Sequence, residues 1–162
     1  MDTGDEDIIV FWKLLYKYQV EYIMVGGFAA ILHGTNRVTE DVDIWIKDTL
    51  ENRKKFRAVF KEMGFGDYVQ FETMQFIPGW TTLYISSGIE LDVMTSLKGF
   101  EQEKFDYCYD TAYTAMIDEV PVRFLHINQL IEAKKAAGRE KDLLDVAELE
   151  KIRKITEENK NK

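Results

Sequence analysis

The chain has 162 residues, of which 46% are hydrophobic and 13% aromatic, enough for one domain with an ordinary core. Its formal net charge of −8 disfavours a general nucleic-acid binder, which carries a basic face. A single cysteine, Cys108, excludes an internal disulfide and suits a reducing cytoplasm; the acidic start is unlike a signal peptide, and no apolar run nears the roughly 20 residues that span a bilayer.

Residues 5 to 19 read as an amphipathic helix, with Ile8, Phe11, Trp12, Leu15 and Gln19 at helical spacing. Asp2 to Asp5 are placed to cap it and to suit the positive end of its dipole. Tyr22 to Val25 is a four-residue apolar run, the pattern of a strand covered on both faces. Gly26-Gly27 follows, and Phe28 to Leu32 read as a short helix with His33 at its end. Glycines between a strand and a helix let backbone approach a ligand, and the free N–H groups of the helix start suit a phosphate. Arg37 and Thr39 stand in the link to a second strand that carries Asp41 and Asp43. Two apart on a strand, both carboxylates leave one face, while Val42 and Ile44 leave the other. Such a pair repels itself unless a cation lies between its members, and a hard divalent ion with open positions for phosphate oxygens answers that need.

Asp48-x-x-Glu51 predicts a capping box for the next helix. That helix carries Phe56, Val59, Phe60 and Met63 on one face and stops at Gly64; Lys54, Lys55, Arg57 and Lys61 make a solvated face. From Asp67 to Met94 the pattern predicts a β-meander: Glu72 to Ile77, a turn at Pro78-Gly79, Trp80 to Ile85, a turn at Ser87-Gly88, then Ile89 to Val93. In the last strand Ile89, Leu91 and Val93 share one face and Glu90 and Asp92 the other, so Asp92 can add a third carboxylate to the pair. Glu90 reads as a supporting residue, a base or plain surface. Residues 98 to 110 are aromatic and mixed in charge, a short helix or a loop. Tyr113 to Ile117 and Val120 to Leu125 predict a hairpin around Asp118-Glu119, and Pro121 argues for an edge strand.

Asn128 reads as the cap of a helix that runs to Ala137 and ends at Gly138. Lys134 falls within its apolar stripe of Leu130, Ile131 and Ala137, so it needs an anionic partner or a polar cavity unless its ammonium snorkels out. A last helix covers about 140 to 155, and the polar tail 156–162 reads as frayed. There is no internal repeat and no linker. The domain is read as 1–162, with its core in about 20–150.

Gly26-Gly27, thirteen intervening residues and Asp41-Val-Asp43 resemble the signature of the DNA polymerase β-like nucleotidyltransferase superfamily. The likeness is to its small prokaryotic members, the lincosamide- and aminoglycoside-type enzymes and the toxin-type members of abortive-infection systems. It covers about residues 20 to 150 and includes Leu130 to Asp145, which look like that family's C-terminal helix pair. The resemblance implies an α/β (α+β) fold: a mixed, mostly antiparallel sheet flanked by helices. It implies a nucleotidyltransferase in which Asp41, Asp43 and Asp92 are catalytic and bind two Mg2+ ions, or Mn2+ in their place. Gly26, Gly27, Arg37, Thr39 and Lys134 would bind the nucleotide, with Lys134 facing its phosphates. Arg139, Lys141 and Asp142 would organise the turn between the last two helices. The NTP partner would react with a small molecule, a protein or a tRNA end, and the acidic chain favours the small molecule over nucleic acid. Two other readings stay open: a toxin that works with a separate antitoxin protein, and a non-catalytic nucleotide-binding module. A homodimer could complete the acceptor pocket, and no membrane role is implied.

Overall fold

A computed structural model of the chain describes residues 6–39, 41–86 and 89–161. Six strands form one open sheet in the order β3-β4-β2-β1-β6-β5. They are β1 (Tyr22–Val25), β2 (Asp41–Ile46), β3 (Thr82–Ser86), β4 (Ile89–Met94), β5 (Tyr113–Ile117) and β6 (Val120–Phe124). The β1–β2, β3–β4 and β5–β6 pairs are antiparallel, whereas β2–β4 and β1–β6 are parallel. The helices are α1 (Glu6–Lys17), α2 (Gly26–His33), α3 (Leu50–Glu62), α4 (Phe105–Thr111), α5 (Ile127–Ala137) and α6 (Glu140–Lys160). This is the mixed, mostly antiparallel sheet with a C-terminal helix pair.

The core explains the order. β1 has strands on both sides and all four of its residues are buried, as its uninterrupted apolar run requires. Ile8, Phe11, Trp12 and Leu15 of α1 are fully buried, so the packed body begins well before residue 20. Val42, Ile44, Leu91 and Val93 are also fully buried and leave the sheet on the side away from the aspartates. Asn52 ties the framework together from α3. Its side chain accepts from the Glu21 N–H at 2.8 Å and donates to the carbonyls of Glu21 and Lys47, both at 2.9 Å.

Several local expectations are corrected. Residues 72–77 are not a strand: Val69–Glu72 is a short 3₁₀ helix, and the chain then loops to β3. Phe71 and Phe76 are buried there, and the Arg53 guanidinium donates to the carbonyls of Phe71 and Met74. Buried aromatics and satisfied carbonyls do the work that strand pairing would have done. Thr49, not Asp48, caps α3 by accepting from the Asn52 N–H, while Asp48 pairs with Arg53. His126, not Asn128, caps α5: its Nδ1 accepts from the Asn128 N–H at 3.1 Å. Pro121 lies in β6, which is one strand in from the edge. Its missing N–H is tolerated because β1 registers with β6 only at Met24 and Phe124. Gln19 lies beyond the end of α1, at φ 56°. The tail is helical through Lys160 rather than frayed from 156. Asp2 to Asp5 and the Ser87-Gly88 turn lie outside the described residues.

Asn52→Ala leaves three buried or half-buried backbone groups without their partner. The expected loss is about 2–4 kcal/mol of unfolding free energy, read from denaturant titration. A loss within a few tenths of a kcal/mol would mean that water replaces those bonds.

Candidate active site

A cleft of about 490 Å³ opens where β2 and β4 meet the start of α2 and the α5–α6 turn. Its floor is set by strand register. In the parallel β2–β4 pair, Asp43 stands directly opposite Asp92, and Asp41 opposite Glu90. Asp41, Asp43, Glu90 and Asp92 therefore share one face, and all four line the cleft. Burial, then the charges of Asp92 and Asp41, push the Asp43 carboxyl up to about 7, against the opposing pull of Lys134 and Lys141. Burial also raises Asp92, countered by the Gly79 N–H that donates to its Oδ2 at 2.8 Å. The other Asp92 oxygen, Oδ1, is buried without a hydrogen-bond partner.

Gly26 is the point where backbone meets this floor. Its φ is +71°, and a Cβ there would collide with the Asp43 carboxylate, so glycine is required twice over. The glycines do not precede the helix but form its first two residues, directly after β1. No side chain caps this helix start, since Val25 cannot. Gly26 and Gly27, the uncapped start of α2, line the cleft, and a helix start with free N–H groups suits an anion.

The opposite wall is cationic. Lys134 is only 6% exposed and lines the cleft; its ammonium does not snorkel out but pairs with Asp145 at 2.7 Å, and Asp142 stands 3.9 Å away. Arg37 pairs with the same oxygen of Asp145. Its guanidinium lies over the start of α2, where a Cβ on Gly27 would come within 3.1 Å of it. Thr39 lines the cleft, and its hydroxyl accepts from the Asp41 N–H at 3.2 Å. Arg139 binds Asp142 through two side-chain nitrogens at the α5–α6 turn, and Arg139, Lys141 and Asp142 all line the cleft. His33 is a helix-end residue whose Nε2 meets the Leu125 carbonyl at 2.7 Å.

Sequence reasoning missed Asp145 as the shared counter-ion. It also missed Pro78, Gly79, Thr82 and Leu97 as cleft residues. Only the apparent conflict of a lysine in an apolar stripe pointed toward Asp145. Of the aromatic segment 98–110, only Lys98 borders the cleft; Phe105 and Cys108 turn inward to the core.

The residues 5–162 match the family described as "Nucleotidyl transferase of unknown function (DUF2204)". The chain belongs to that family. It is a nucleotidyltransferase enzyme. No curated protein is significantly similar to it in sequence. Solved structures share its fold at low identity. The lincosamide antibiotic adenylyltransferase LnuA, in its lincomycin-bound form, superposes with a TM-score of 0.58 at 14% identity over 92% of this chain and 98% of its own. The antibiotic-resistance factor ANT(2'')-Ia gives 0.54 at 17% identity, covering 96% of this chain and 91% of its own. An antigenic nucleotidyltransferase-like protein from Paracoccidioides brasiliensis gives 0.55 at 17% identity, with 88% and 74% covered.

The floor offers oxygen donors of the kind that a hard divalent cation takes. Four carboxylates share one face, and Oδ1 of Asp92 is buried and unpartnered. Among the described residues no three acidic, histidine or cysteine side chains are already drawn together as a ligand shell, so closing them round an ion takes side-chain rotation. No helix among the described residues is long and apolar enough to cross a membrane.

The Asp43 carboxyl makes stability depend on pH. Its folded pKa, about 7, is above the ordinary value of 3.8, so between these the folded state binds more protons than the unfolded one. Stability then falls as pH rises through that window. Without divalent cations, Asp43→Asn is expected to exceed the parent at pH 8 by on the order of 1–3 kcal/mol, with the advantage shrinking toward pH 4. Denaturant unfolding at several pH values reads this. Parallel pH profiles for the two proteins would contradict it.

Proposed function

We propose that the cleft moves a nucleoside monophosphate from an NTP to a hydroxyl of a small-molecule acceptor and releases pyrophosphate. The observation that carries this reading is the register of β2 and β4. It puts Asp43 opposite Asp92, with Asp41 on the same face, across the cleft from Lys134 and beside the uncapped start of α2.

The acceptor hydroxyl oxygen gives its proton to solvent and forms a bond to the α-phosphorus as the bond to the bridging oxygen breaks, and that electron pair leaves with pyrophosphate. Charge grows on that leaving group. The Gly26 and Gly27 N–H groups would hold the triphosphate, and Arg37, Thr39 and Lys134 would border it. Lys134 would add positive charge at the outer phosphates. Asp41, Asp43 and Asp92 would bind Mg2+ or Mn2+. The bound ions supply Lewis-acid chemistry, making the attacking hydroxyl more acidic and neutralising the departing pyrophosphate. Removing metal with a chelator should therefore stop transfer.

The acceptor class follows from charge and space. The net charge of −8 opposes a polyanion, and the cleft has the volume of a small-ligand site. The fold neighbours are consistent with this: LnuA was solved with lincomycin bound, and ANT(2'')-Ia with adenylyl-2''-tobramycin.

Incubation with each labelled NTP, Mg2+ and a panel of hydroxyl-bearing small molecules tests the proposal. Asp41→Asn and Asp43→Asn are expected to abolish labelling of the acceptor while the circular dichroism stays that of the parent. Parent-like transfer by either variant would remove the metal-site assignment. Lys134→Met keeps most of the packing volume. It is expected to weaken NTP binding about ten- to a hundredfold, the roughly 1.5–3 kcal/mol of one charge-assisted contact, with NMP binding little changed. Equal NTP binding by this variant would take Lys134 off the phosphates.

A further inference from the structure

We infer that Asp145 is a positioning residue, which sets Arg37 and Lys134 as a pair on the phosphate wall of the cleft. The inference rests on the reading of the cleft as an NTP site and adds a residue from α6 to it.

The geometry is specific. One oxygen, Asp145 Oδ2, accepts from Lys134 Nζ of α5 at 2.7 Å and from Arg37 Nη1 of the link before β2. The Asp145 and Lys134 side chains are each 7% exposed, the Arg37 side chain 27%. The two cations come from segments far apart in sequence and meet only through this carboxylate. Both also line the cleft. Stability alone is a poor reason for such an arrangement, because buried ion pairs are often replaced by apolar side chains without loss. Held on one carboxylate, the two cations stand together on the same side of the cleft.

Asp145 also keeps the cations apart from the acids. Without Asp145, Lys134 has Asp142 at 3.9 Å and the carboxylates of the floor across the cleft. A lysine drawn to the floor would be lost to the phosphates and would compete with a divalent ion for the aspartates. The shared carboxylate thus separates the cationic wall from the acidic floor.

Asp145→Asn keeps the volume of the side chain and removes its charge. Binding is measured for the NTP that the parent binds best and for the matching NMP, with Mn2+ titrated separately by electron paramagnetic resonance. A merely structural role lowers the active fraction and moves both nucleotides alike. The expected result is at least a tenfold loss of NTP affinity, NMP affinity within twofold of the parent, and weaker Mn2+ binding. An unchanged ratio of NTP to NMP affinity overturns the inference. Asp145→Glu retains the charge, and so the fold, but shifts the oxygens by one carbon–carbon bond. Its ratio is expected to lie between those of the parent and Asp145→Asn, and if the asparagine variant does not fold, a parent-like ratio in the glutamate variant overturns the inference. A parent chain that binds no NTP with Mn2+ would instead overturn the underlying reading of the cleft.

Discussion

Asp43 and Asp92 face each other across two parallel strands near the middle of a sheet, where carboxylates ionise only against burial and mutual repulsion. Much of the surrounding structure answers that one difficulty. β2 exposes its acids on one face and gives Val42 and Ile44 to the core on the other. Gly26 brings backbone against Asp43 where any side chain would collide. The Gly79 N–H takes one oxygen of Asp92. The proposed cation binding would answer the negative charge that Asp41, Asp43, Glu90 and Asp92 gather on one face.

The C-terminal helices supply the complementary half. α5 and α6 pack on α2 and carry Lys134, Asp142 and Asp145 as buried charges. Their ion pairs bind the turn at Arg139 to the wall at Arg37, so the cationic wall is a rigid part of the fold rather than a set of free surface side chains. An acidic floor, a cationic wall and a row of helix-start N–H groups meet in one cleft. Phosphoryl chemistry uses these three parts: metal-binding oxygens, countercharge for the leaving group, and a backbone cradle for the rest of the triphosphate.

Elements governed by local pattern were legible in the sequence. β1 coincides with the apolar run Tyr22 to Val25, and β5 and β6 follow the alternation around Asp118-Glu119. Both residues of that turn have positive φ, 49° and 66°, which fits a tight hairpin. The glycine pair with two spaced aspartates was legible because spacing alone places them. Residues 72–77 misled because alternating burial of a loop over aromatic side chains looks like a strand when the partner strand is not in view. The caps misled because a neighbouring residue takes each role: Thr49 accepts from the Asn52 N–H while Arg53 engages Asp48, and His126 accepts from the Asn128 N–H. Asp145 was invisible as a counter-ion because its two partners belong to other elements. The end of α6 was placed too early because its final turns are exposed, and an exposed helix has no apolar stripe to announce it.

The central claim is that the acids on β2 and β4 hold metal while the α2 start and the Lys134 wall hold triphosphate. A crystal structure of the chain with Mn2+ and a non-hydrolysable NTP tests it most directly. The account predicts anomalous Mn2+ peaks coordinated by Asp41, Asp43 and Asp92, with the β- and γ-phosphates between the N–H groups of Gly26 and Gly27 and the Lys134 ammonium. Manganese or triphosphate bound elsewhere, with these three carboxylates left uncoordinated, would contradict it.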